Sequence, residues 1–186
     1  FDAEGPTVRH KMFAAYKGTR PETDPALVAQ FPLTRELVQA LNLPGLEIQG
    51  YEADDLIATV ARRAEADGMD AVLVTGDKDA LQLVNDHIRV LNEPKGLWLD
   101  AAAVRARYGV PPERLTDLFA LAGDATDNVP GVRGVGEKTA ASLLQQFGSL
   151  DGIYRSLEEV PGALREKLRT GRDAAYQSLA LVRLAD

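Results

Sequence analysis

The stretch Gly50-Tyr51-Glu52-Ala53-Asp54-Asp55 places three acids within four residues, directly before an apolar run with helical spacing. Asp54 or Asp55 can open this helix, and Gly68 ends it. The next apolar segment, residues 71–75, has the continuous hydrophobic character of a strand covered on both faces. Helices that alternate with such strands predict an α/β fold, in which helices flank a central, mostly parallel sheet.

Two further acidic pairs stand at the ends of predicted elements. Asp77 and Asp79 follow the strand at 71–75, and Asp124 and Asp127 follow a helical run. Ligands of parallel α/β sheets collect at the carboxyl ends of the strands, and converging carboxylates are tolerable only around cations. The pattern predicts a divalent metal site, although any one pair alone is more often a helix cap or a solvated turn.

The composition is that of an ordinary soluble globular protein. The 186 residues are 45% hydrophobic and 26% charged, include no Cys and carry a net charge of −7. No apolar run approaches the ~20 residues of a membrane span, and no signal peptide opens the chain. We therefore expect a cytoplasmic protein with no membrane partner. The patterns at both ends are incomplete, which suggests a fragment truncated at both ends.

Residues 6–30 include a basic arm that carries Arg9, Tyr16, Lys17 and Arg20. If the arm is helical, these side chains share one face by spacings of three and four. Cations interleaved with aromatic rings suit a nucleic-acid backbone and its stacking bases. A solvated surface helix is the alternative interpretation.

The remaining elements divide the chain into two parts. Short strands are predicted at residues 46–48, 88–91 and 97–99, the last two as a hairpin. Strand signals vanish from residue 101 onward, where Gly and Pro separate a series of helices. We expect an α/β part over residues 1–110 and a helical part over residues 111–186.

The most specific stretch is Val129-Pro130-Gly131-Val132-Arg133-Gly134-Val135-Gly136-Glu137-Lys138-Thr139-Ala140. Its glycines allow a tight hairpin whose amides can approach a phosphate, and the following helix points its first N–H groups at the same place. This helix-hairpin-helix pattern, over about residues 118–147, predicts binding of a nucleic-acid backbone without base reading. A turn that merely needs glycine is the alternative. Dinucleotide and Walker loops do not fit, because the preceding element is helical.

These motifs together resemble one family along the whole chain. The resemblance is carried by Phe1-Asp2-Ala3, the arm up to Arg20-Pro21, the Gly50 stretch, Thr75-Gly76-Asp77-Lys78-Asp79, and Gly123-Asp124 through Asp127-Asn128 into the hairpin. They are similar to the 5′-nuclease (5′-3′ exonuclease) domain of bacterial DNA polymerase I, a relative of the flap endonucleases. The resemblance implies a PIN-like sheet with an H3TH-type helix-hairpin-helix subdomain.

The resemblance also implies roles for individual residues. Two or more Mg²⁺ or Mn²⁺ ions would be held or supported by Asp2, Glu52, Asp54, Asp55, Asp77, Asp79, Asp124 and Asp127. Lys17 and Arg20 would contact the scissile phosphate, with Arg9 and Tyr16 touching the substrate nearby. Duplex DNA would be held by Gly131, Gly134, Gly136, Lys138 and Thr139. A K⁺ ion could bind there through the backbone carbonyls of Val132 and Val135.

We therefore expect a structure-specific 5′ nuclease that hydrolyses DNA at 5′ ends, nicks or flaps by two-metal-ion catalysis, as in primer removal and repair. It would be a monomeric part of a larger polymerase chain in the bacterial nucleoid. One alternative is a DNA-junction-binding module without activity, because the family's first strand and its Asp precede residue 1. Another is a phosphatase-like hydrolase of small substrates. No other nucleophile is evident, since Cys is absent and neither His10 nor His87 has a triad context.

Overall fold

The computed structural model describes residues 1–185 of the chain. Its helices are α1 (Val8–Met12), α2 (Pro25–Val28), α3 (Phe31–Ala40), α4 (Ala53–Ala66), α5 (Ala101–Tyr108), α6 (Leu115–Ala122), α7 (Glu137–Phe147), α8 (Leu150–Arg155), α9 (Gly162–Thr170) and α10 (Arg172–Val182). Its strands are β1 (Ala71–Val74), β2 (Ile88–Asn92) and β3 (Leu97–Leu99). Short 3-10 helices lie at Asp79–Leu83, Glu93–Lys95, Pro112–Arg114 and Leu157–Glu159. Within residues 1–185, no helix has the length and apolar character to cross a bilayer.

The sheet has the strand order β1-β2-β3. β1 runs parallel to β2, with Ala71 opposite Ile88, and β2 runs antiparallel to β3, with Leu91 opposite Trp98. The predicted hairpin between β2 and β3 is therefore confirmed, and Gly96 closes its turn in the left-handed conformation. The result is a small mixed sheet flanked by helices, which confirms the predicted α/β class.

Two strand predictions are wrong. β1 is not covered on both faces, because Leu73 is 8% exposed whereas Val72 is 43% and Val74 is 66% exposed. Among the described residues β1 pairs with β2 alone, so its other edge is unpaired there. Residues 46–48 are irregular instead of forming a strand.

α6 lies at the centre of the helical core. Its sequence, LTDLFALA, is apolar nearly all round, which is typical of a helix buried on every side. Its largest fully buried side chains are Leu115, Leu118, Phe119 and Leu121. α7, α8 and α10 pack around it. This packing fixes the end of α6, and therefore the start of the acidic loop that follows.

The basic arm is not the long helix that its spacing predicts. α1 stops before Phe13, whose backbone is extended, and Lys17 adopts a left-handed conformation with φ 55°. Tertiary hydrogen bonds hold the arm instead: Lys17 N–H donates to Asp127 O at 2.9 Å, and Asn128 Nδ2 donates to Ala15 O at 2.7 Å. The arm is therefore shaped by the acidic loop against which it lies.

The turn between α6 and α7 is built on a backbone crossing at two glycines. Gly123 has φ 75° and Gly131 has φ 60°. A Cβ on Gly131 would lie 2.3 Å from the Gly123 backbone nitrogen, and one on Gly123 would lie 2.7 Å from the Val129 carbonyl oxygen. The N–H of Gly131 donates to the buried Ser178 hydroxyl at 2.9 Å. Both positions therefore require glycine.

Replacing Gly131 with Ala is expected to lower the free energy of unfolding by about 3 kcal/mol, because the new Cβ overlaps backbone atoms that cannot move independently. Urea denaturation measures this loss. Gly136→Ala is the matched control, since a Cβ there meets nothing within 4 Å and its φ is −98°. It should cost at most about 1 kcal/mol. Equal stabilities for the two variants would contradict the crossing.

Candidate active site

Three chain segments carry the predicted acids to one region. The start of α4 carries Glu52 and Asp54, the turn after β1 carries Asp77 and Asp79, and the loop after α6 carries Asp124 and Asp127. Glu52 is the N-cap of α4, and Asp54 lies in the first turn of the same helix. The turn after β1 is stabilised by the Asp79 N–H, which donates to Asp77 Oδ1 at 2.8 Å.

The tightest group comprises Asp79, Asp124 and Asp127, which we call the acid cluster. One carboxylate oxygen from each lies within 4.8 Å of the other two. The loop that carries Asp124 and Asp127 is closed by two hydrogen bonds between Asp124 and Val129, of 2.9 and 2.8 Å. Asp124 Oδ1 also accepts the Thr126 N–H at 3.0 Å. A short closed loop thus fixes two of the three carboxylates.

The electrostatics of these acids favour a cation. Burial, with smaller contributions from Asp77, Asp124 and Asp127, raises the pKa of Asp79 to about 7 against the opposing effect of Lys78. Carboxylates crowded in this way resist ionisation unless positive charge joins them. An all-oxygen set of this kind matches the preference of Mg²⁺ and Mn²⁺, so the residues fit the divalent ions that the family implies.

A second acidic group surrounds the start of α4. Asp2 Oδ1 accepts the Ala53 N–H at 2.7 Å and so lies at the amino end of the helix. Burial, with upward contributions from Asp77, Asp2 and Glu52 and a downward one from Lys17, raises the pKa of Asp54 to about 6. Asp54 is therefore surrounded by the charges of three other acids.

Three cations face the acids. Lys17 Nζ lies 2.7 Å from Glu52 Oε1 and 3.9 Å from Asp127 Oδ2. Arg20 donates to Asp127 Oδ1 at 2.5 Å. The structure therefore brings Lys17 and Arg20, which the resemblance assigns to the scissile phosphate, into contact with the acids. The third cation, Lys78, donates to Asp124 Oδ2 at 2.5 Å and was missed by the sequence analysis. Its position between Asp77 and Asp79, directly after a strand, was the available signal.

Tyr16 does not lie where a DNA-contacting ring is expected. It is 4% exposed, and its hydroxyl lies 3.1 Å from Glu52 Oε2 and 3.2 Å from Asp127 Oδ2. A ring buried in this way cannot stack on a base in this conformation. Burial also raises the pKa of Tyr16, so its hydroxyl stays protonated and can donate. Tyr16 links two acids from different segments.

Arg9 and Asp55 also depart from expectation, because they form a buried ion pair. Arg9 is 3% exposed and donates to both oxygens of Asp55 at 2.7 Å, and also to Leu181 O and Arg183 O. The remaining acceptor capacity of Asp55 is taken by the N–H groups of Ala185 and Glu52. The guanidinium of Arg9 is therefore fully engaged by protein acceptors, and both carboxylate oxygens of Asp55 are engaged by protein donors.

The pKa of Asp55 agrees with this structural role. Burial alone would raise it, but hydrogen bonds from Arg9, Ala185 and Glu52 lower it below the ordinary value. Arg9 also donates to Glu52 Oε2 at 3.2 Å. Arg9 therefore connects the buried pair to Glu52 and fixes the orientation of the Glu52 carboxylate.

The hairpin lies directly after the acidic loop. Gly134, Gly136 and Lys138 are exposed, Thr139 is half-buried, and Gly136 is the N-cap of α7. Val132 and Val135 are buried, and Val135 N–H donates to Val132 O at 2.9 Å. Lys167 Nζ lies 3.3 Å from Gly134 O. The predicted Gly131 is buried, and its N–H and that of Val132 donate within the protein. The surface that the hairpin leaves open is therefore formed by Gly134, Gly136 and Lys138.

Divalent ions are expected to raise the Tm more at pH 8 than at pH 5.5. The raised pKa values of Asp79 and Asp54 mean that the folded, metal-free protein retains protons that the unfolded chain loses above about pH 4. In the metal-free protein, the contribution of Asp79 and Asp54 to the free energy of unfolding therefore falls as pH rises towards 7. A bound divalent ion stabilises their ionised forms and removes this loss. Scanning calorimetry with Mn²⁺ or chelator measures the difference. Asp79→Asn should remove most of it, and equal Tm increments at both pH values would contradict the assignment.

Comparison with known proteins agrees with this arrangement. Residues 1–109 match the model of the 5′-3′ exonuclease N-terminal resolvase-like domain, and residues 110–186 match that of the 5′-3′ exonuclease C-terminal SAM fold. The chain is 48% identical to DNA polymerase I of Treponema pallidum (strain Nichols), over 100% of this chain and 19% of that protein. It is 45% identical to DNA polymerase I of Bacillus caldotenax, over 97% of this chain and 21% of that protein. The chain thus spans about a fifth of the length of these relatives.

Solved structures give the same result. The fold superposes on a bacteriophage T5 flap endonuclease in a pseudo-enzyme-product complex with DNA and metal ions, with a TM-score of 0.83 and 25% identity, over 98% of this chain and 72% of that one. A T5 protein co-crystallised with metal ions gives a TM-score of 0.84 at 25% identity, over 98% and 73%. Because the two family models together cover both the acids and the hairpin, the chain belongs to the 5′-3′ exonuclease family.

Proposed function

We propose that this chain is a metal-dependent 5′ nuclease that hydrolyses DNA phosphodiester bonds at 5′ ends, nicks or flaps. The observation that carries the proposal is the acid cluster, whose three carboxylates lie within 4.8 Å of one another, beside the arm cations Lys17 and Arg20. The hairpin that would hold the duplex follows the same acidic loop. A phosphatase acting on small substrates would have no use for that hairpin.

The acid cluster would hold one divalent ion, and Asp2, Glu52, Asp54 and Asp77 would hold a second. Bound Mg²⁺ or Mn²⁺ supplies a water that ionises near neutral pH and neutralises charge on the phosphate. Lys17 and Arg20 would turn from their carboxylates towards the scissile phosphate, where they stabilise the charge that develops in the transition state. Tyr16 and Arg9 act as positioning residues for Glu52.

The hairpin would hold the duplex through its backbone. Gly134 and Gly136 would let amides approach a phosphate, whereas Gly131, whose N–H donates to Ser178, would shape the turn. Lys138 and Thr139 at the start of α7 would add a charge and a hydroxyl. A K⁺ ion bound by the carbonyls of Val132 and Val135 would strengthen this contact. None of these groups reads a base, so recognition depends on DNA structure.

The relatives named DNA polymerase I suggest the biological setting. We infer that the chain is the 5′ nuclease part of a larger polymerase chain, and that it acts as a monomer in the bacterial nucleoid. Its substrates would be the 5′ flaps, nicks and ends left by primer removal and repair. The bacteriophage T5 relative, whose complex contains DNA and metal ions, supports this choice of partner.

A cleavage assay tests the function directly. A labelled 5′-flap duplex should be cut near the junction when Mg²⁺ or Mn²⁺ is present, and chelator should abolish the cut. A duplex closed by loops at both ends, which offers no 5′ end, is the control and should remain intact. Salt-sensitive DNA binding without cleavage would favour the junction-binding module. Hydrolysis of p-nitrophenyl phosphate without DNA cleavage would favour the small-substrate hydrolase.

A further inference from the structure

Lys78 lies within the acid cluster itself. Its Nζ is 2.5 Å from Asp124 Oδ2 and 3.8 Å from Asp79 Oδ1. The same ammonium lies 5.3 Å from the centroid of the Phe119 ring, which provides a further attraction for a cation. Two of the three cluster carboxylates therefore share one lysine, which is anchored on a buried aromatic side chain of α6.

This contact differs from an ordinary surface salt bridge. The Asp124 side chain is only 9% exposed and that of Lys78 is 31% exposed, so solvent screens the pair weakly. Lys78 also stands in the turn that immediately precedes the 3-10 helix Asp79–Leu83, and it is the N-cap of that helix. Its backbone is thus fixed relative to the cluster, and only its four-carbon stem is free to turn.

Asp124 cannot serve Lys78 and a divalent ion without conflict. Its Oδ1 accepts the Thr126 N–H and its Oδ2 accepts the Lys78 ammonium. An ion bound at Oδ2, at a typical distance of about 2.1 Å for Mg²⁺, would lie within about 5 Å of the ammonium. Two cations at that separation repel strongly in a partly buried site. Binding of the ion therefore requires Lys78 to move.

We propose that Lys78 is a built-in competitor of the divalent ion: it holds Asp124 and Asp79 together in the metal-free protein and turns away when the ion binds. Lys78 thereby sets the metal affinity of the acid cluster as a positioning residue. The inference rests on the metal site of the proposed function but does not depend on nuclease activity. It also explains how a chain with these crowded acids folds before an ion arrives.

Mn²⁺ binding measures the competition. Lys78→Met keeps the length and apolar stem of the side chain while it removes the ammonium, and should tighten Mn²⁺ binding to the free protein about tenfold, the scale of one charge-assisted hydrogen bond. Calorimetric titration or the electron paramagnetic resonance signal of free Mn²⁺ gives the affinity. Lys95→Met, in the exposed turn between β2 and β3, is the matched control and should bind like wild type. Unchanged or weaker binding by Lys78→Met would overturn the proposal.

Movement of the ammonium is measured in the wild-type protein, so the test does not depend on a variant that folds. With ¹³C- and ¹⁵N-labelled lysine, saturating Mg²⁺ should shift the Cε and Nζ resonances of Lys78 and leave those of Lys95 in place. Mg²⁺ binding with a static Lys78 resonance would overturn this proposal alone. A displaced Lys78 in a protein that cuts no DNA would instead refute the nuclease function. A chain that binds neither Mg²⁺ nor Mn²⁺ would overturn both this proposal and the proposed nuclease function.

Discussion

Asp124→Asn is expected to slow single-turnover cleavage of a 5′-flap DNA about a thousandfold while DNA affinity changes by less than about threefold. The substitution preserves size, and Oδ1 can still accept the Thr126 N–H. It removes one of three charges from the acid cluster, so the ion that the cluster holds is bound and placed less well. A loss of about 4 kcal/mol in transition-state stabilisation corresponds to this rate.

DNA affinity should survive because the hairpin takes no contact from the Asp124 carboxylate. Asp67→Asn is the matched control: this acid ends α4, its side chain is 52% exposed, and it pairs with Arg63 one turn away. Its cleavage rate should equal that of wild type. If Asp124→Asn cuts at the wild-type rate with Mg²⁺ present, the acid cluster is not the metal site of the reaction.

Arg9→Met is expected to lower the free energy of unfolding by about 3–5 kcal/mol. The substitution leaves the Asp55 carboxylate, which is 1% exposed, without its only side-chain partner among the described residues, and a buried charge that loses its partner is strongly destabilising. It also leaves the Leu181 and Arg183 carbonyls without the donors that they now receive. Urea denaturation followed by circular dichroism measures the change.

Two further variants separate charge from geometry. Arg9→Lys keeps the charge but cannot bridge both Asp55 oxygens and two carbonyls, so its loss should be intermediate. Arg63→Met removes an arginine that is 80% exposed from a pair with Asp67, and should change stability by less than about 0.5 kcal/mol. If Arg9→Met lies within about 1 kcal/mol of wild type, the buried pair does not hold the ends of the chain together.

Local signals were sufficient for most elements. Asp100 caps α5 and Gly109 ends it in the left-handed conformation, and the Gly96 turn joins β2 to β3. These signals lie within a few residues of the structure they specify, so sequence alone predicts them. The placement of the acid pairs beside predicted elements suggested a metal site, but the convergence of Asp79, Asp124 and Asp127 is seen only in the structure.

The basic arm does not form a helix along its whole length, and the physical reason cannot be inferred from residue spacing. Its helical pattern is overridden by partners more than a hundred positions away, such as the Asn128 side chain on Ala15 O. Asp55 pairs with Arg9 behind the acids that it was expected to join or support. Adjacent residues on a helix point about 100° apart, so helical geometry alone indicates that Asp54 and Asp55 have different surroundings.

The Arg9–Asp55 pair affects when the site can assemble as the chain is synthesised. Its hydrogen-bond partners include Leu181, Arg183 and Ala185, which leave the ribosome last among the described residues. Until that segment is synthesised, the Arg9–Asp55 pair lacks three of the backbone partners that surround it. Glu52, to which Arg9 donates, is therefore expected to reach its final position only when most of the described residues have been made.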